Sequence, residues 1–329
     1  MKKWKGLLGV SLAGMLLLAG CGATKETSSE EKSGKEIKIG VTQLVEHPSL
    51  DAAYKGFKKA IEANGLKNVK YDFQNAQGDQ NNSQTIAKNL VGEKVDLIFA
   101  NTTPSAQHAL NATQDIPIVF TSVTDPVGAK LVQSFDKPGE NITGTTDTHP
   151  DAIPKTIEFI DKQTDAKSVG LIYNKGEQNS VAQVDLVKKE LKKSNLKPVE
   201  ASVSTSADVK QAAESLVGRA DVFYIITDNT VVSALESVIS VSEDKDIPMF
   251  AGELDSVKRG AFAAYGFDYY DIGYEAGQMA AKILKGEKKP SEINVQYPQK
   301  LKLVINKKAA EAMNVQLKPD WDSMAEYIK

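Results

Sequence analysis

The sequence predicts an α/β protein of two similar lobes, each a parallel sheet wrapped by helices. Three observations carry this. Short apolar runs alternate with amphipathic stretches along most of the chain, the pattern of βα units whose strands pair in parallel through right-handed crossovers. The pattern also occurs twice. Asp96-Leu-Ile-Phe-Ala-Asn-Thr-Thr103 is echoed by Asp221-Val-Phe-Tyr-Ile-Ile-Thr-Asp-Asn-Thr230, Asp115-Ile-Pro117 by Asp246-Ile-Pro248, and Gly40-Val-Thr-Gln43 by Gly170-Leu-Ile-Tyr-Asn174. The copies lie 125 to 131 residues apart, a domain-sized period that implies two lobes and not a solenoid. Finally, two neighbouring strands end in small hydroxyl residues, which directs attention to the crevice outside their carboxyl ends.

The first 35 residues stand apart. Lys2, Lys3 and Lys5 precede an apolar run from Gly6 to Leu18, followed by Leu18-Ala-Gly-Cys21. A basic start, a short apolar stretch and small residues before a cut site read as a secretory signal over residues 1–20. The run is shorter than the roughly 20 residues of a membrane span. Leu-Ala-Gly-Cys is similar to the lipobox, in which the cysteine becomes the lipidated N-terminus. Cys21 is the sole cysteine, so the chain has no disulfide framework and its one thiol stands where a lipid would be attached. An incidental cysteine behind a signal peptide and an uncleaved anchor are the competing readings. The rest of 21–35 is rich in Thr, Ser, Lys and Glu without apolar periodicity, which marks a flexible tether.

The body begins with a strand from Ile37 to Gln43. Pro48 opens a helix in which Leu50, Ala53, Tyr54, Phe57 and Ile61 recur at helical spacing, and Asn64-Gly65 ends it. A strand from Tyr71 to Gln74, a polar turn and a helix from Ser83 to Val91 follow. Val95 to Ala100 is an apolar run without helical period, hence a buried strand. Thr102 or Thr103 then caps a helix with Pro104 in its first turn. Ile118 to Thr121 is the next buried strand, emptying into Ser122-Val-Thr-Asp-Pro126, and 139–147 leaves the lobe as a loop and strand. From Pro150 the series restarts. Helices are expected over 152–164, 178–195, 207–217 and 231–243, with strands over 169–173, 199–202, 222–227 and 249–252. A strand over 261–267, an amphipathic helix from Asp271 to Lys285 ended by Gly286, and strands over 293–297 and 302–305 complete the chain.

Ile39-Gly-Val-Thr-Gln-Leu-Val-Glu-His-Pro-Ser-Leu-Asp51, Gly78-Asp-Gln80, Thr121-Ser-Val-Thr-Asp-Pro-Val-Gly-Ala129, Asp228-Asn-Thr230 and Val304-Ile-Asn-Lys-Lys308 resemble the solute-binding proteins of bacterial ABC importers. They are most similar to the subgroup linked to tryptophan and tyrosine uptake. The resemblance implies the type I periplasmic binding protein architecture, two Rossmann-like lobes joined by three hinge crossings. It places residues 36–146 and 268–299 in lobe one, and 147–267 and 300–329 in lobe two. It further implies an ABC permease with its ATPase as partners, a small-molecule ligand, and a monomer held at the outer face of the cell membrane through Cys21.

Charge and motifs narrow the alternatives. The formal net charge is −3 and no basic stripe stands out, so nucleic-acid binding lacks its electrostatic footprint. Lysine-rich stretches such as 188–193 read as solvated helix faces with internal ion pairs. Gly-x-Ser-x-Gly, a Walker loop, a dinucleotide fingerprint and clustered metal ligands are absent from the sequence, and the three histidines, His47, His108 and His149, are scattered. No enzyme, cofactor or metal is expected.

An amino acid held between lobes needs donors for its carboxylate, acceptors for its ammonium and a shaped pocket. Thr102 and Thr103 at one helix N-terminus, and Thr121, Ser122 and Thr124 beside another, suit the carboxylate, although capping alone would explain Thr102 and Thr103. Asp228 is the first choice for the ammonium, because it and Asn229 occupy a strand end in lobe two. Asp125 and Asp268 stand behind it, and Thr-Asp-Pro equally suits a turn. Gln43 and His47 follow the first strand, and Tyr173 and Asn174 occupy the matching place in lobe two, where Tyr173 would stack on an aromatic ring. Glu253 is a further strand-end carboxylate. Phe267, Tyr269 and Tyr270 read as core or hinge packing.

These features point to a lipid-anchored importer component that captures an aromatic amino acid, tyrosine or tryptophan. A surface sensor or adhesin on the same fold, or an importer component for another amino acid, a nucleoside or a sugar, remain the alternatives, since fold alone does not select a ligand.

Overall fold

The structure is a computed structural model that describes residues 36–329; the expected signal, Cys21 and the tether lie outside the described residues. Twelve strands and eleven α-helices follow one another in the described chain.

The first half holds β1 (Ile37–Gln43), α1 (Pro48–Ala63), β2 (Val69–Asn75), α2 (Gln80–Gly92), β3 (Leu97–Asn101), α3 (Thr103–Ala112), β4 (Ile118–Val123) and β5 (Ile142–Thr146). The strands form one parallel sheet in the order β2-β1-β3-β4-β5. Strands β3, β4 and β5 are buried along their whole length, which is why they read as continuous apolar or small-residue runs and not as alternation.

The second half holds α4 (Ala152–Gln163), β6 (Ser168–Asn174), α5 (Gln178–Leu191), β7 (Lys197–Val203), α6 (Val209–Leu216), β8 (Val222–Ile225), α7 (Asn229–Ser233), α8 (Leu235–Asp244), β9 (Met249–Ala251), α9 (Leu254–Arg259) and β10 (Ala263–Gly266). After these come α10 (Tyr269–Leu284), β11 (Lys302–Asn306), α11 (Lys307–Ala312) and β12 (Ala325–Ile328). The second sheet runs β12-β11-β10-β9-β8-β6-β7. Its last five strands repeat the order of the first sheet with β6 in the place of β1, so the duplication in the sequence is a duplication of topology.

Three crossings join the lobes: after β5, after β10, and before β11. Helix α10 returns to lobe one, where it packs along α1 and against β4 and β5. The close approach is set by glycines. A Cβ on Gly273 would lie 1.9 Å from the Ala53 carbonyl oxygen, and one on Gly56 would lie 2.1 Å from the Tyr270 carbonyl oxygen. The third crossing delivers the chain to lobe two from the cleft end, so β11 runs antiparallel to β10, an exception to the expected parallel sheet.

Other expectations shift in detail. The strand expected over 293–297 is an extended edge that touches β5 through a single Thr145–Gln296 bridge. The helix expected over 231–243 is interrupted at Ala234. Helices α9 and α11 and strand β12 were not anticipated, each being a short element without a full apolar period. Among the described residues no helix is long and apolar enough to cross a membrane.

Candidate functional site

In a sheet of order 2-1-3-4-5 the helices change face between the first and third strands in that order, and a crevice opens outside their carboxyl ends. Here those ends are Gln43 and Asn101 in lobe one, and Asn174 and the Ile226–Asp228 turn in lobe two. The loops beyond them meet. Between the lobes, His47, Leu50, Ser122 and Tyr269 from lobe one, Asp147 from the first crossing, and Asn179, Thr227, Asn229, Val232 and Glu253 from lobe two enclose a small cavity of about 10 Å³. That is room for about one water molecule, so a ligand is admitted only when the lobes part.

The lobe-one floor is a polar layer under strain. Asn101 donates from Nδ2 to Gln43 Oε1 at 2.8 Å and to the Leu50 carbonyl at 2.8 Å, and accepts at Oδ1 from Ser122 Oγ at 2.7 Å. Thr102 has φ 142° and Ser122 φ 55°, a left-handed conformation that side-chain-bearing residues seldom adopt. Such strain concentrates at binding sites, where the surroundings hold it in place. At Ser122 it coincides with a break in the β4–β5 register, beside which Thr121 Oγ1 and Thr145 Oγ1 share a hydrogen bond of 2.8 Å.

Two buried carboxyls line the cavity, Asp147 on the first crossing and Glu253 in lobe two. Asp147 accepts from Thr124 Oγ1 at 3.0 Å and Tyr269 OH at 2.8 Å. Glu253 caps α9, accepting from the Asp255 and Ser256 amides, and also accepts from Ser49 Oγ of α1 at 2.9 Å across the cleft. Burial pushes both carboxyls above the ordinary carboxylate range, against the pull of these hydrogen bonds. A second bond across the seam runs from Gln183 Nε2 on α5 to Thr124 Oγ1 at 3.1 Å.

His47 precedes α1 and is buried. Burial first, and then the charge of Arg259, hold its imidazole down at about 3, outweighing a hydrogen bond to Asn229. Nδ1 has no partner, so Nε2 makes that bond. That bond favours the protonated ring, as an acceptor does, so Asn229 Oδ1 accepts from His47 Nε2–H while Asn229 Nδ2 donates to Glu177. The neutral ring thus keeps Nδ1 as a buried acceptor without a partner, on a residue that lines the cavity. Asn179 Oδ1, also buried and without a partner, is a second neutral acceptor there.

Of the residues singled out in the sequence, His47, Ser122, Asn229 and Glu253 line the cavity, and Thr124 braces it through Asp147. The others are placed elsewhere. Asp228, the expected ammonium partner, caps α7 by accepting from Val231 N at 2.8 Å and also accepts from Asn174 N at 2.6 Å. Its carboxyl is pushed up by burial and by the neighbouring Glu177 charge. Asn174 serves the same turn, bonding Thr230 Oγ1 and the Gly176 amide. Tyr173 extends its hydroxyl to Glu200 on β7 at 2.8 Å and does not line the cavity. Asp125 closes a turn on the Gly128 amide, and Asp268 caps α10. Gln43, Thr102, Thr103 and Thr121 lie in or beside the buried floor.

Sequence reasoning missed Asp147, Asn179 and Thr227, and assigned Tyr269 to packing. Thr227 adjoins the strand end already singled out, and Asp147 closes the Thr-rich strand at the first crossing; those positions were the available signals. Tyr269 does pack, its ring 5.6 Å from that of Phe267, while its hydroxyl reaches Asp147.

Residues 38–326 match the family described as ABC transporter substrate binding protein. The chain belongs to the ABC transporter substrate-binding family. A binding role and not a catalytic one follows for this substrate-binding protein. It is 46% identical over 328 residues to a tyrosine-binding protein of Clostridioides difficile, with 96% of this chain and 94% of that one covered. Among solved structures, an ABC domain from Streptococcus pneumoniae in complex with L-Trp is 32% identical, with TM-score 0.84 over 89% of this chain and 100% of that one. A ligand-free, open substrate-binding protein with adhesive properties from Clostridium difficile is 42% identical, with TM-score 0.65 over 89% of this chain and 99% of that one.

Proposed function

We propose that this substrate-binding protein is the extracytoplasmic receptor of an ABC importer, tethered by a lipid on Cys21, and that it captures an aromatic amino acid, tyrosine or tryptophan, between its lobes. The observation that carries this is the cavity closed between the lobes around Asp147 and Glu253, with Tyr269 among its lining residues. The relatives' ligands support the aromatic choice. The conformations support capture by lobe closure: the 42%-identical open structure fits less well than the 32%-identical L-Trp complex, so shape here follows lobe arrangement and not sequence.

Calorimetric titration of the chain from Gly22 onward, stripped of carried-over ligand, tests the reading. Tyrosine, tryptophan and phenylalanine are the ligands, with leucine and a nucleoside as controls. Tight binding of one aromatic amino acid is expected. Heat from a control alone would discard the aromatic assignment and leave the importer role standing. The adhesive properties ascribed to the Clostridium difficile relative favour a second reading, a surface adhesin on the same fold, to which silence with every ligand would move the weight.

A further inference from the structure

We infer that Glu177 is a positioning residue of the cleft: it fixes the orientation of the Asn179 and Asn229 side-chain amides, and through Asn229 it selects the tautomer of His47 in the opposite lobe. The orientation is a property of the ligand-free protein; only its effect on affinity rests on the reading of the cleft as a small-molecule site.

Glu177 is buried, is in no ion pair among the described residues and does not line the cavity. It occupies the N-cap position of α5, yet its side chain caps none of that helix's own amides. It reaches instead to the start of α7. There Oε1 accepts from Thr230 N at 3.1 Å and Thr230 Oγ1 at 2.7 Å, and Oε2 accepts from Asn229 N at 3.3 Å. Oε2 also accepts from two side-chain amides, Asn229 Nδ2 at 2.6 Å and Asn179 Nδ2 at 3.3 Å. A buried carboxylate without a cation is costly unless hydrogen bonds satisfy it, which these donors do.

The backbone amides of α7 need an acceptor whatever the cleft does, and Asp228 already serves one of them. The two side-chain amides differ, because both asparagines line the cavity. A carboxamide has a donor end and an acceptor end, and only the donor end can face a carboxylate. Holding both Nδ2 groups therefore settles where both oxygens go. Asn179 Oδ1 is left buried without a partner, and Asn229 Oδ1 accepts from His47 Nε2–H. A neutral imidazole has one N–H, so a ring that donates at Nε2 keeps Nδ1 bare. Were the Asn229 amide reversed, Nδ2 would confront Nε2 and drive the proton to Nδ1. One carboxylate thus sets the donor and acceptor pattern of three cavity-lining side chains from outside the cavity.

The test is nitrogen-15 magnetic resonance of His47 in the ligand-free protein, with tyrosine affinity by calorimetry as the second readout. The unaltered protein should carry the proton on Nε2, and an Nδ1–H ring there would overturn the inference without recourse to a variant. Glu177→Met removes both acceptor oxygens, so Asn229 is free to reverse. The Nδ1–H form should then appear, and tyrosine affinity should fall about tenfold or more. Glu177→Gln can still accept from both asparagines through Oε1 while Nε2 donates to Thr230 Oγ1, and should recover the Nε2–H form with at least part of the affinity. Loss of packing alone would leave the tautomer where it was. A cooperatively melting Glu177→Met protein with unchanged tautomer and unchanged affinity overturns the inference. If that variant does not fold, Glu177→Asp, one methylene too short to serve Thr230 and both asparagines together, is read in the same way. If the unaltered protein binds no tyrosine, the aromatic reading falls, and the tautomers still decide the role of Glu177.

Discussion

His47 shows how environment decides the role of a residue that sequence alone leaves open. Before a proline, a histidine is more often a loop residue than a ligand contact, and only the family resemblance makes His47 a candidate. Burial and the Arg259 charge keep this one neutral, with its free pKa near 6.5 lowered to about 3. The folded state therefore binds fewer protons than the unfolded chain between those values. Stability contributed by His47 is full above pH 6.5 and is lost progressively as pH falls toward 3. Nuclear magnetic resonance of the imidazole should show one neutral, Nε2-protonated form from pH 5 to pH 8, and titration within that window would show the ring to be solvated. Asp228 makes the complementary point. A strand-end carboxylate followed by Asn-Thr satisfies the pattern of a cap as well as that of a ligand contact, and here it accepts two bonds from backbone amides, those of Val231 and Asn174. What the sequence could not convey at this scale is which strand-end carboxylate faces the cleft. That depends on how far each loop runs past its strand: Asp147 and Glu253 line the cavity, while Asp228 turns back to cap α7.

At the scale of elements, long buried strands and long amphipathic helices were legible because burial on one or both faces imposes a period on the side chains. Short elements were not. Helices α9 and α11 are six residues each, too few to display a period, and their starts are announced only by the caps Glu253 and Asn306. The pairing of α1 with α10 was also hidden, since it depends on glycines more than 200 residues apart. Gly273 lets the α10 backbone meet Ala53 directly. Replacing it with leucine should cost roughly 3 kcal/mol or more, because backbone on both sides of the contact must move. Chemical denaturation with tyrosine absent would register the loss, and an unchanged midpoint would mean that the two helices pack more loosely than described.

At the scale of the whole molecule, the duplication in the sequence foretold two like lobes, and the order of the two sheets bears it out. The direction of β11 was not foretold, since apolar pattern is blind to whether a strand runs up or down. The seam between the lobes is closed by Ser49–Glu253 and Gln183–Thr124, hydrogen bonds from neutral donors and not exposed ion pairs. Ligand affinity should accordingly change less than about threefold between low salt and 0.5 M sodium chloride, because buried contacts are screened little. A steep fall with salt would place charged surface pairs in control of closure.

The three crossings also order the birth of the molecule. Lobe one is incomplete until α10, residues 269–284, has left the ribosome, and lobe two until β11 and β12, residues 302–328, have followed. Neither half is finished when its own first segment has been made: lobe one must wait for a helix synthesised after most of lobe two, and lobe two for the last strands of the chain. The two lobes of this design therefore mature in the last part of synthesis and not one after the other.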